Sequence, residues 1–384
     1  MELIVLLLLV GVLFGLEDRL YVRQWARGLH YECRFSTDEA YEGDEITLIE
    51  TITNGKALPL AWAKAEITAS RWLAFAGSQS TIAGDTRFVP SFFVLRGHHR
   101  VVRSWKVRCL RRGVYHIDKT VIVTTDLLGR RTFSLPVRLH AQLTVLPRPR
   151  ALEECVVSPQ SLSGARVVPR RLFTDPFFVN GVRPYTPWDS ANRIHWTATA
   201  KAGEIMVRSN DSTSDQTVAV LLNMQTRADE GAAIRDAEDV ERGIRAAASV
   251  IAETARTGFP VQFWANGGGA DGESTTTGCG AGEEFALDLL RVLAQLHVTK
   301  SENFARYADQ VRGRILSTDM VLITAYVDDA LAEFVRERQE AGVHVQLLLL
   351  RVADAAPEGC DCAQYIEEPS DASAAGSDEE VHAS

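Results

Sequence analysis

The sequence predicts an α/β plus all-β chain: an N-terminal membrane helix, an Ig-like β-sandwich, and an α/β domain with a doubly covered, mostly parallel sheet. Three observations support this prediction. An uncharged apolar run occupies residues 3–16, apolar and polar residues alternate from Leu29 to Leu146, and strand patterns alternate with helix patterns beyond residue 215. With 384 residues, 46% of them hydrophobic, the chain is long enough for more than one core.

The apolar run at residues 3–16 predicts a short membrane anchor, assigned to residues 1–25. As a helix it spans about 21 Å, less than the ~30 Å hydrocarbon core, so residues 20–25 are expected to extend it at the interface. Glu2 and the lack of an Ala-x-Ala site argue against a cleaved signal peptide. Arg19, Arg23 and Arg27 follow the run and predict a cytoplasmic body. A buried core helix remains the alternative.

Residues 28–148 show the period-two pattern of half-buried strands. The predicted strands cover 29–35, 45–53, 61–69, 87–95, 101–109, 114–124 and 139–146. Turn signals such as Asn54-Gly55 and Arg112-Gly113 separate them. About seven strands in ~120 residues are typical of an Ig-like sandwich.

The α/β domain is predicted over residues 215–353, after a linker at 149–214. Strand patterns at 216–223, 260–264, 319–325 and 344–352 alternate with helix patterns at 240–257, 284–297, 302–315 and 328–341. Near-continuous apolar strands such as Leu347–Leu350 indicate a sheet covered on both faces. Residues 354–384 are rich in acids, Ser and Ala, and are predicted to be disordered.

The charge is distributed unevenly along the chain. The 50 acidic and 41 basic residues give a net charge of -9, and the 9 acids beyond residue 353 account for all of it, since 50 − 9 = 41. Residues 87–171 hold 17 Lys or Arg against 4 acids. Such a surface could contact anionic lipid or an acidic protein segment, or could simply be solvated. Aromatic residues are not interleaved with the cations, so nucleic acid is not expected as a partner.

No catalytic or cofactor motif stands out in the sequence. Gly267–Gly272 satisfies Gly-x-Gly-x-x-Gly, but no helix pattern opens after it to hold a pyrophosphate. The six cysteines lack zinc-type pairing, and Cys360-Asp-Cys362 has no further ligands nearby. We therefore expect no enzyme activity, no cofactor and no metal.

A dense run from Gly181 to Arg208 is the chain's most distinctive motif. It resembles the central pattern of the bacterial domain of unknown function 58 family, Arg-x-Tyr-x-x-Gly-Asp-x-x-Arg-x-Ile-x-Trp with a later basic residue. The matching positions are Arg183, Tyr185, Asp189, Arg193, Ile194, Trp196 and Lys201, while Trp188 replaces the usual glycine. Arg112-Gly-Val-Tyr115 and Thr125-Asp-Leu-Leu-Gly129 are similar to further signatures of the family.

The resemblance implies a membrane-anchored relative of the von Willebrand factor type A domain on the cytoplasmic side of a bacterial membrane. It also implies a MoxR-type AAA+ ATPase as partner in assembling other proteins. We interpret the fingerprint as a hairpin packed on the α/β sheet, with Trp196 buried and Asp189 paired with Arg193 or Arg183. A partner-docking surface is the alternative for these residues and for the neighbouring His195.

The resemblance further implies where a magnesium site would lie. Type A domains hold Mg²⁺ with Asp-x-Ser-x-Ser after the first strand, and the matching positions here are Asn223, Gln225 and Arg227. Amides and a guanidinium are poor substitutes, so this metal site is predicted to be lost. Thr226 and Asp229 are the residues that could form a rearranged site.

These observations favour a non-enzymatic, membrane-anchored scaffold that binds proteins. The acidic tail is a possible docking segment for the partner or for the basic module. The rival hypothesis is a membrane-associated hydrolase that acts through His195 and Asp189.

Overall fold

The computed structural model describes residues 21–126, 129–157, 181–185, 196–209, 217–231, 233–351 and 361–366, with isolated positions among the first 20. The chain forms two compact units. Of the described residues, the first unit comprises those within Met1–Arg148 together with Leu290–Leu296, and the second comprises those within Pro149–Leu289 and His297–Ser370.

The first unit is a β-sandwich of a four-stranded and a six-stranded sheet, ordered β1-β3-β8-β5 and β2-β10-β9-β4-β7-β6. All strand pairs are antiparallel except β2 with β10. The strands are β1 Leu29–Phe35, β2 Glu39–Tyr41, β3 Glu45–Asn54, β4 Leu60–Ser70, β5 Leu73–Phe75, β6 Thr81–Ala83, β7 Thr86–Leu95, β8 His99–Cys109, β9 Gly113–Thr125 and β10 Thr132–Leu146. The seven predicted strands are all present. The short strands β2, β5 and β6 were not predicted, because three residues show no periodicity.

The alternating residues of both sheets point into one core, as the period-two pattern requires. That core also holds a carboxylate, Glu50, which is fully buried. Tyr31 Oη and Ser91 Oγ each donate to it at 2.7 Å, and Trp105 Nε1 donates at 3.1 Å. Burial, reinforced by the charge of Glu50, raises the pKa of Tyr31 and raises that of Cys33 to about 12. A buried charge is tolerated here because three donors satisfy it.

Residues 21–25 belong to the sandwich. Tyr21 is 1% exposed, and the rings of Tyr21 and Trp25 lie 5.7 and 5.4 Å from that of Phe133. This corrects the prediction that residues 20–25 extend a membrane anchor. The predicted anchor, residues 3–16, lies mostly outside the described residues, although Ile4, Leu8, Leu9 and Val12 are helical and at least 58% exposed. Among the described residues, no helix is long and apolar enough to cross a bilayer.

The Arg112-Gly-Val-Tyr115 signature forms a tight corner at the start of β9. Tyr115 Oη donates to the carbonyl oxygens of Arg111 at 2.7 Å and Arg112 at 3.1 Å. Gly113 has φ +150°, and a Cβ there would lie 3.3 Å from the Tyr115 ring. The Arg112 side chain is buried and donates to the carbonyl oxygens of Leu293 and Leu296 at 2.8 Å within the same unit. This signature is therefore structural in the sandwich.

The second unit contains a seven-stranded sheet ordered β11-β19-β18-β17-β14-β15-β16, and a separate antiparallel pair, β12-β13. Its strands are β11 Val156–Val157, β12 Gly181–Pro184, β13 Met206–Ser209, β14 Val218–Leu222, β15 Val261–Gly268, β16 Ser274–Thr276, β17 Asp319–Thr324, β18 His344–Leu349 and β19 Asp361–Tyr365. The five central strands β19, β18, β17, β14 and β15 are parallel, and the edge strands β11 and β16 are antiparallel. The predicted mostly parallel sheet is confirmed.

Helices cover both faces of this sheet. The described helices are α1 Leu152–Cys155, α2 Trp196–Ala202, α3 Ala237–Thr257, α4 Glu283–Gln295, α5 Phe304–Val311 and α6 Asp329–Glu340. Helix α3 begins at the N-cap Asp236 and ends at Gly258, whose φ of 81° is left-handed. It approaches the sheet so closely that a Cβ on Gly243 would lie 2.7 Å from Leu222 Cδ1. On the opposite face, α5 and α6 pack on Ala219 and Leu221.

Strand β19 contradicts the prediction that residues 354–384 are disordered throughout. It pairs in parallel with β18, matching Leu347 with Cys362 and Leu349 with Gln364, and Tyr365 is fully buried. The α/β domain therefore extends at least to residue 365, beyond the predicted boundary at 353. Residues 352–360, which include Cys360, and residues 367–384 lie outside the described residues.

Candidate functional site

The candidate site lies at the carboxyl ends of β14, β15 and β17. After β14 the chain crosses through α3 to β15 on one side and later reaches β17 on the other, so strand order reverses here. In open α/β sheets, ligands bind outside the carboxyl ends of the strands at such a switch point. The segment Asn223–Glu230, which follows β14, contains Asn223, Gln225 and Arg227, the positions of the magnesium motif that is predicted to be lost.

Two buried asparagines tie the ends of neighbouring strands together. Asn223 Nδ2 donates to Thr324 Oγ1 at 3.1 Å, and its Oδ1 accepts from Gln225 N at 3.0 Å and Asn266 Nδ2 at 3.2 Å. Asn266 Oδ1 accepts from Met224 N at 2.6 Å. Both side chains are at most 2% exposed. Their donors and acceptors are thus engaged by the protein itself, as burial of amides requires.

Gln225 holds the following loop in place. Its Nε2 donates to the carbonyl oxygens of Arg227 at 2.7 Å and Ala228 at 3.1 Å, and its Oε1 accepts from Phe304 N at 2.9 Å at the start of α5. Gln225 is 2% exposed, whereas Arg227, Ala228 and Asp229 are exposed. The loop Arg227–Asp229 is therefore a surface segment mounted on a buried amide.

A buried ion pair lies beneath the same loop. Glu230 and Lys300 have side chains 0% and 3% exposed, with Oε2 and Nζ 3.9 Å apart. Glu230 accepts from Thr226 N at 2.8 Å, Thr226 Oγ1 at 2.7 Å and Arg235 N at 2.6 Å. Lys300 Nζ also donates to the Glu230 carbonyl oxygen at 3.0 Å and to Asn303 Oδ1 at 3.2 Å.

The surroundings of Glu230 keep it ionised. Burial by itself raises the pKa of this carboxyl, but the hydrogen bonds from Arg235 N, Thr226 N and Thr226 Oγ1 lower it, and so does the charge of Lys300. The net effect is a pKa below the ordinary value. The Glu230 carboxylate is therefore ionised at neutral pH, and its contact with Lys300 joins the loop after β14 to the segment before α5.

The residues at this edge do not fit a hard divalent cation. Such ions take carboxylate, carbonyl and water oxygens. The oxygens of Asn223 and Gln225 already accept from protein donors, and the one buried carboxylate of the described loop, Glu230, faces an ammonium group. Within the described part of the chain, no group of three or more His, Cys, Asp or Glu side chains could hold a metal ion.

We predict that Mg²⁺ leaves the thermal unfolding midpoint of the protein unchanged. A cation that bound the folded state alone would raise the midpoint as its concentration rose above its dissociation constant. The measurement is a thermal melt across a Mg²⁺ series, with NaCl at matched ionic strength as the control. A saturable rise seen with Mg²⁺ and absent with NaCl would contradict the prediction.

The structure describes only part of the fingerprint. Arg183 lies in β12, which pairs with β13, and Tyr185 follows it with 38% exposure. Trp196 and Lys201 lie at the start and in the last turn of α2, and both are exposed. The hypothesis of a buried Trp196 is wrong, because its side chain is 71% exposed. Asp189, Arg193, Ile194 and His195 lie outside the described residues, as does the predicted pairing of Asp189.

Accordingly, Trp196→Ala is expected to change the free energy of unfolding by less than about 0.5 kcal/mol, as for other exposed positions. Chemical denaturation of both proteins measures the difference. Phe263→Ala, which truncates a fully buried residue of β15, is the control that shows a large loss in the same assay. A loss of unfolding free energy for Trp196→Ala as large as that for Phe263→Ala would support a packing role for Trp196.

Sequence reasoning missed Asn266, Glu230 and Lys300. Asn266 is a polar residue at the end of the apolar strand β15, and this is the signal that could have placed it beside Asn223. Glu230 and Lys300 are far apart in sequence and lie in polar loop segments. The nearby Gly267–Gly272 stretch forms the end of β15 and the turn into β16, so no helix opens there for a pyrophosphate.

Comparison with known proteins finds a family that part of this chain is similar to. Residues 181–365 match the family described as "Protein of unknown function DUF58". This match supports the resemblance inferred from the fingerprint, and it spans both that motif and six strands of the seven-stranded sheet, β14 to β19. No curated protein matches the sequence.

Solved structures similar to this chain include several small domains. A non-cellulosomal cohesin from Archaeoglobus fulgidus is 14% identical, with 30% of this chain and 91% of that chain covered and a TM-score of 0.22. The CARDB domain of a Pyrococcus furiosus protein is 8% identical over 29% and 90% of the chains, with a TM-score of 0.19. A cohesin module of a Clostridium perfringens family 33 glycoside hydrolase is 9% identical over 29% and 98%, with a TM-score of 0.20.

Proposed function

We propose, starting from the match of residues 181–365 to the DUF58 family, that this protein is a membrane-anchored, cytoplasm-facing scaffold. It binds other proteins through the loop at the carboxyl edge of its parallel sheet. The loop binds the partner, and the buried hydrogen-bond network beneath it holds the loop rigid and does not catalyse a reaction.

One observation carries this proposal: the exposed loop Arg227–Asp229 is held from below by the buried Gln225 amide. Binding orders flexible loops at a cost of roughly 0.5–1.5 kcal/mol per immobilised side chain, and a preformed loop avoids part of this cost. Arg227, Asp229 and Arg235 present both signs of charge to solvent, with Arg235 Nη1 3.4 Å from Asp229 Oδ2. Mixed charges on a rigid support favour a specific protein partner over a simple ion.

The partner and the membrane attachment come from the family resemblance and from the apolar amino terminus. We propose a MoxR-type AAA+ ATPase as the partner, working with this chain in the assembly or maturation of other proteins. Residues 3–16 are the proposed single-pass anchor, and the exposure of Ile4, Leu8, Leu9 and Val12 leaves apolar surface for lipid. Arg19, Arg23 and Arg27, which follow this run, support a cytoplasmic position for the body under the positive-inside rule.

The experiment measures binding of the full chain, in nanodiscs, to a purified MoxR-type ATPase with ATP, with ADP and without nucleotide. The double variant Arg227→Glu/Asp229→Arg keeps the net charge and reverses both loop charges. We expect it to weaken binding at least tenfold, the equivalent of about 1.4 kcal/mol.

The matched control is Arg336→Glu/Glu340→Arg, which makes the same exchange on the exposed face of α6. It is expected to bind like the unmodified chain. If both variants bound the ATPase equally well, the proposed docking surface would be refuted. If the unmodified chain bound the ATPase in no nucleotide state, the proposed partner would be refuted.

A further inference from the structure

One end of the β-sandwich gathers several turns and the helical residues 21–24. The strand registers place the start of β1, the end of β3 and the start of β8 side by side, through Leu29, Asn54 and His99. In the other sheet, the start of β4 pairs with the end of β7, and the end of β9 pairs with the start of β10. Tyr21 packs on Phe133 at this same end.

Buried Asn54 fixes these turns to one another. Its Nδ2 donates to the carbonyl oxygens of Leu58 at 2.9 Å and Arg96 at 3.0 Å, which joins the β3–β4 and β7–β8 turns. His98 N donates to Lys56 O at 3.0 Å, and Gly55 N donates to Gly28 O at 2.7 Å. The turns therefore form one fixed surface, which we call the basic end.

The basic end carries a concentration of exposed cations. They are Arg23 and Arg27 before β1, Arg96 and Arg100 around the β7–β8 turn, and Arg130 and Arg131 in the β9–β10 turn. Among the described residues of these turns, the acid is Asp126, which is 2% exposed, accepts from Arg130 N at 2.6 Å and pairs with Arg130 Nε at 3.6 Å. Glu32, further along β1, lines a surface depression with Arg100 and His30. The surface as a whole is positive.

Exposed apolar side chains border the cations on the six-stranded sheet. Val94 is 69% exposed, Phe92 49% and Trp62 38%, and the rings of Trp62 and Phe92 lie 6.2 Å apart. They occupy the outward positions of β7 and β4 near the ends that border the basic turns. Aromatic residues beside cations suit a boundary between water and lipid, where one part of the surface is apolar and the other is wet.

We propose that the basic end contacts anionic phospholipid headgroups, with Trp62, Phe92 and Val94 against the bilayer boundary. Arginines near a surface of anionic lipid are attracted to it within a Debye length. Lipid is favoured over an acidic protein segment because Tyr21, which packs at this end, follows the apolar residues 3–16 closely in the sequence. The inference deepens the proposed anchoring and rests on it for the position of the bilayer.

The test uses the full chain in nanodiscs of phosphatidylcholine alone and of phosphatidylcholine mixed with phosphatidylserine. Hydrogen–deuterium exchange is followed in peptides covering residues 95–100 and 129–132. We expect exchange in both segments to be slower in the mixed nanodiscs, and the slowing to be lost at high salt. Arg96→Glu/Arg100→Glu should abolish the difference between the two lipid compositions.

The matched control is Lys106→Glu/Arg108→Glu, which makes the same charge change toward the opposite end of β8. It should retain the slowing. Identical exchange in both lipids, or equal loss for both variants, would overturn the lipid contact while leaving anchoring intact.

A chain that phosphatidylcholine nanodiscs do not retain would instead refute the anchor. In that case the lipid contact is tested by flotation of the chain with vesicles of phosphatidylcholine mixed with phosphatidylserine. Flotation that Arg96→Glu/Arg100→Glu abolishes and the control keeps would support the contact. Absence of flotation, or binding to an acidic peptide or to nucleic acid in place of vesicles, would refute it.

Discussion

Glu230→Gln is expected to lower the free energy of unfolding of the α/β unit by about 3 kcal/mol, as for other buried pairs that lose one partner. The substitution keeps the size of the side chain and removes its charge. Lys300, whose side chain is 3% exposed, would then hold a buried ammonium group beside a neutral amide. The glutamine NH2 group would also face donors, because Thr226 N, Thr226 Oγ1 and Arg235 N all point at the native carboxylate.

The same substitution should remove a pH dependence of stability. The folded-state pKa of Glu230 lies below its ordinary value of 4.5, so the ionised carboxylate stabilises the fold above that value. This contribution is lost as the pH falls from 4.5 through the lowered pKa. Urea denaturation at neutral pH and at successively lower pH should therefore show the difference between the two proteins shrinking toward acid.

Glu333→Gln is the control for this measurement. Glu333 pairs with Arg336 on α6 at 3.6 Å, but both side chains are more than 60% exposed, so solvent screens the interaction. The unfolding midpoint of the Glu333→Gln variant should stay close to that of the native protein at every pH. If Glu230→Gln behaved in the same way, the buried pair would have no role in fixing the loop.

The sheet and the sandwich were predictable because burial leaves a periodic trace in sequence. Strands β14 and β17 are apolar at nearly every position, since helices cover both faces, and sandwich strands alternate because one face is solvated. Strand β19 left no such trace. Its five residues, from Asp361 to Tyr365, include an acid and a glutamine, and their pairing with β18 comes from tertiary contacts.

The position of the candidate site was predictable from the sequence, but the residues that form it were predictable only in part. A strand that ends in Asn223 at the start of an α/β domain points to the switch point, and the amides at 223 and 225 predict a poor cation site. The partners of these residues include Asn266 in β15, Phe304 at the start of α5 and Thr324 in β17, which lie 43 to 101 positions away. No local pattern reports such contacts. The exposure of Trp196 was missed because large aromatic residues are usually buried, a tendency that sequence alone cannot override.

Gly267→Ala is expected to destabilise the α/β unit by about 3 kcal/mol, the upper part of the usual range for overpacking. Gly267 lies near the end of β15 and pairs with Lys300 through an isolated antiparallel bridge. A Cβ at this position would lie 2.6 Å from Lys300 Cα and still closer to the Thr299 carbonyl oxygen. Both are backbone atoms, so no side-chain rotation relieves the clash and the segment 299–300 must move.

That movement links Gly267 to the buried ion pair, because displacing Lys300 separates it from Glu230. The effects of Gly267→Ala and Glu230→Gln should therefore be less than additive in the double variant, as expected for residues that act on one interaction. The measurement is urea denaturation of the native protein, both single variants and the double variant. Gly278→Ala is the control, since a Cβ there meets no atom within 4 Å and should leave stability nearly unchanged. If the losses of stability from Gly267→Ala and Glu230→Gln were fully additive, the close contact of Gly267 with residues 299–300 would support strand β15 independently of the Glu230–Lys300 pair.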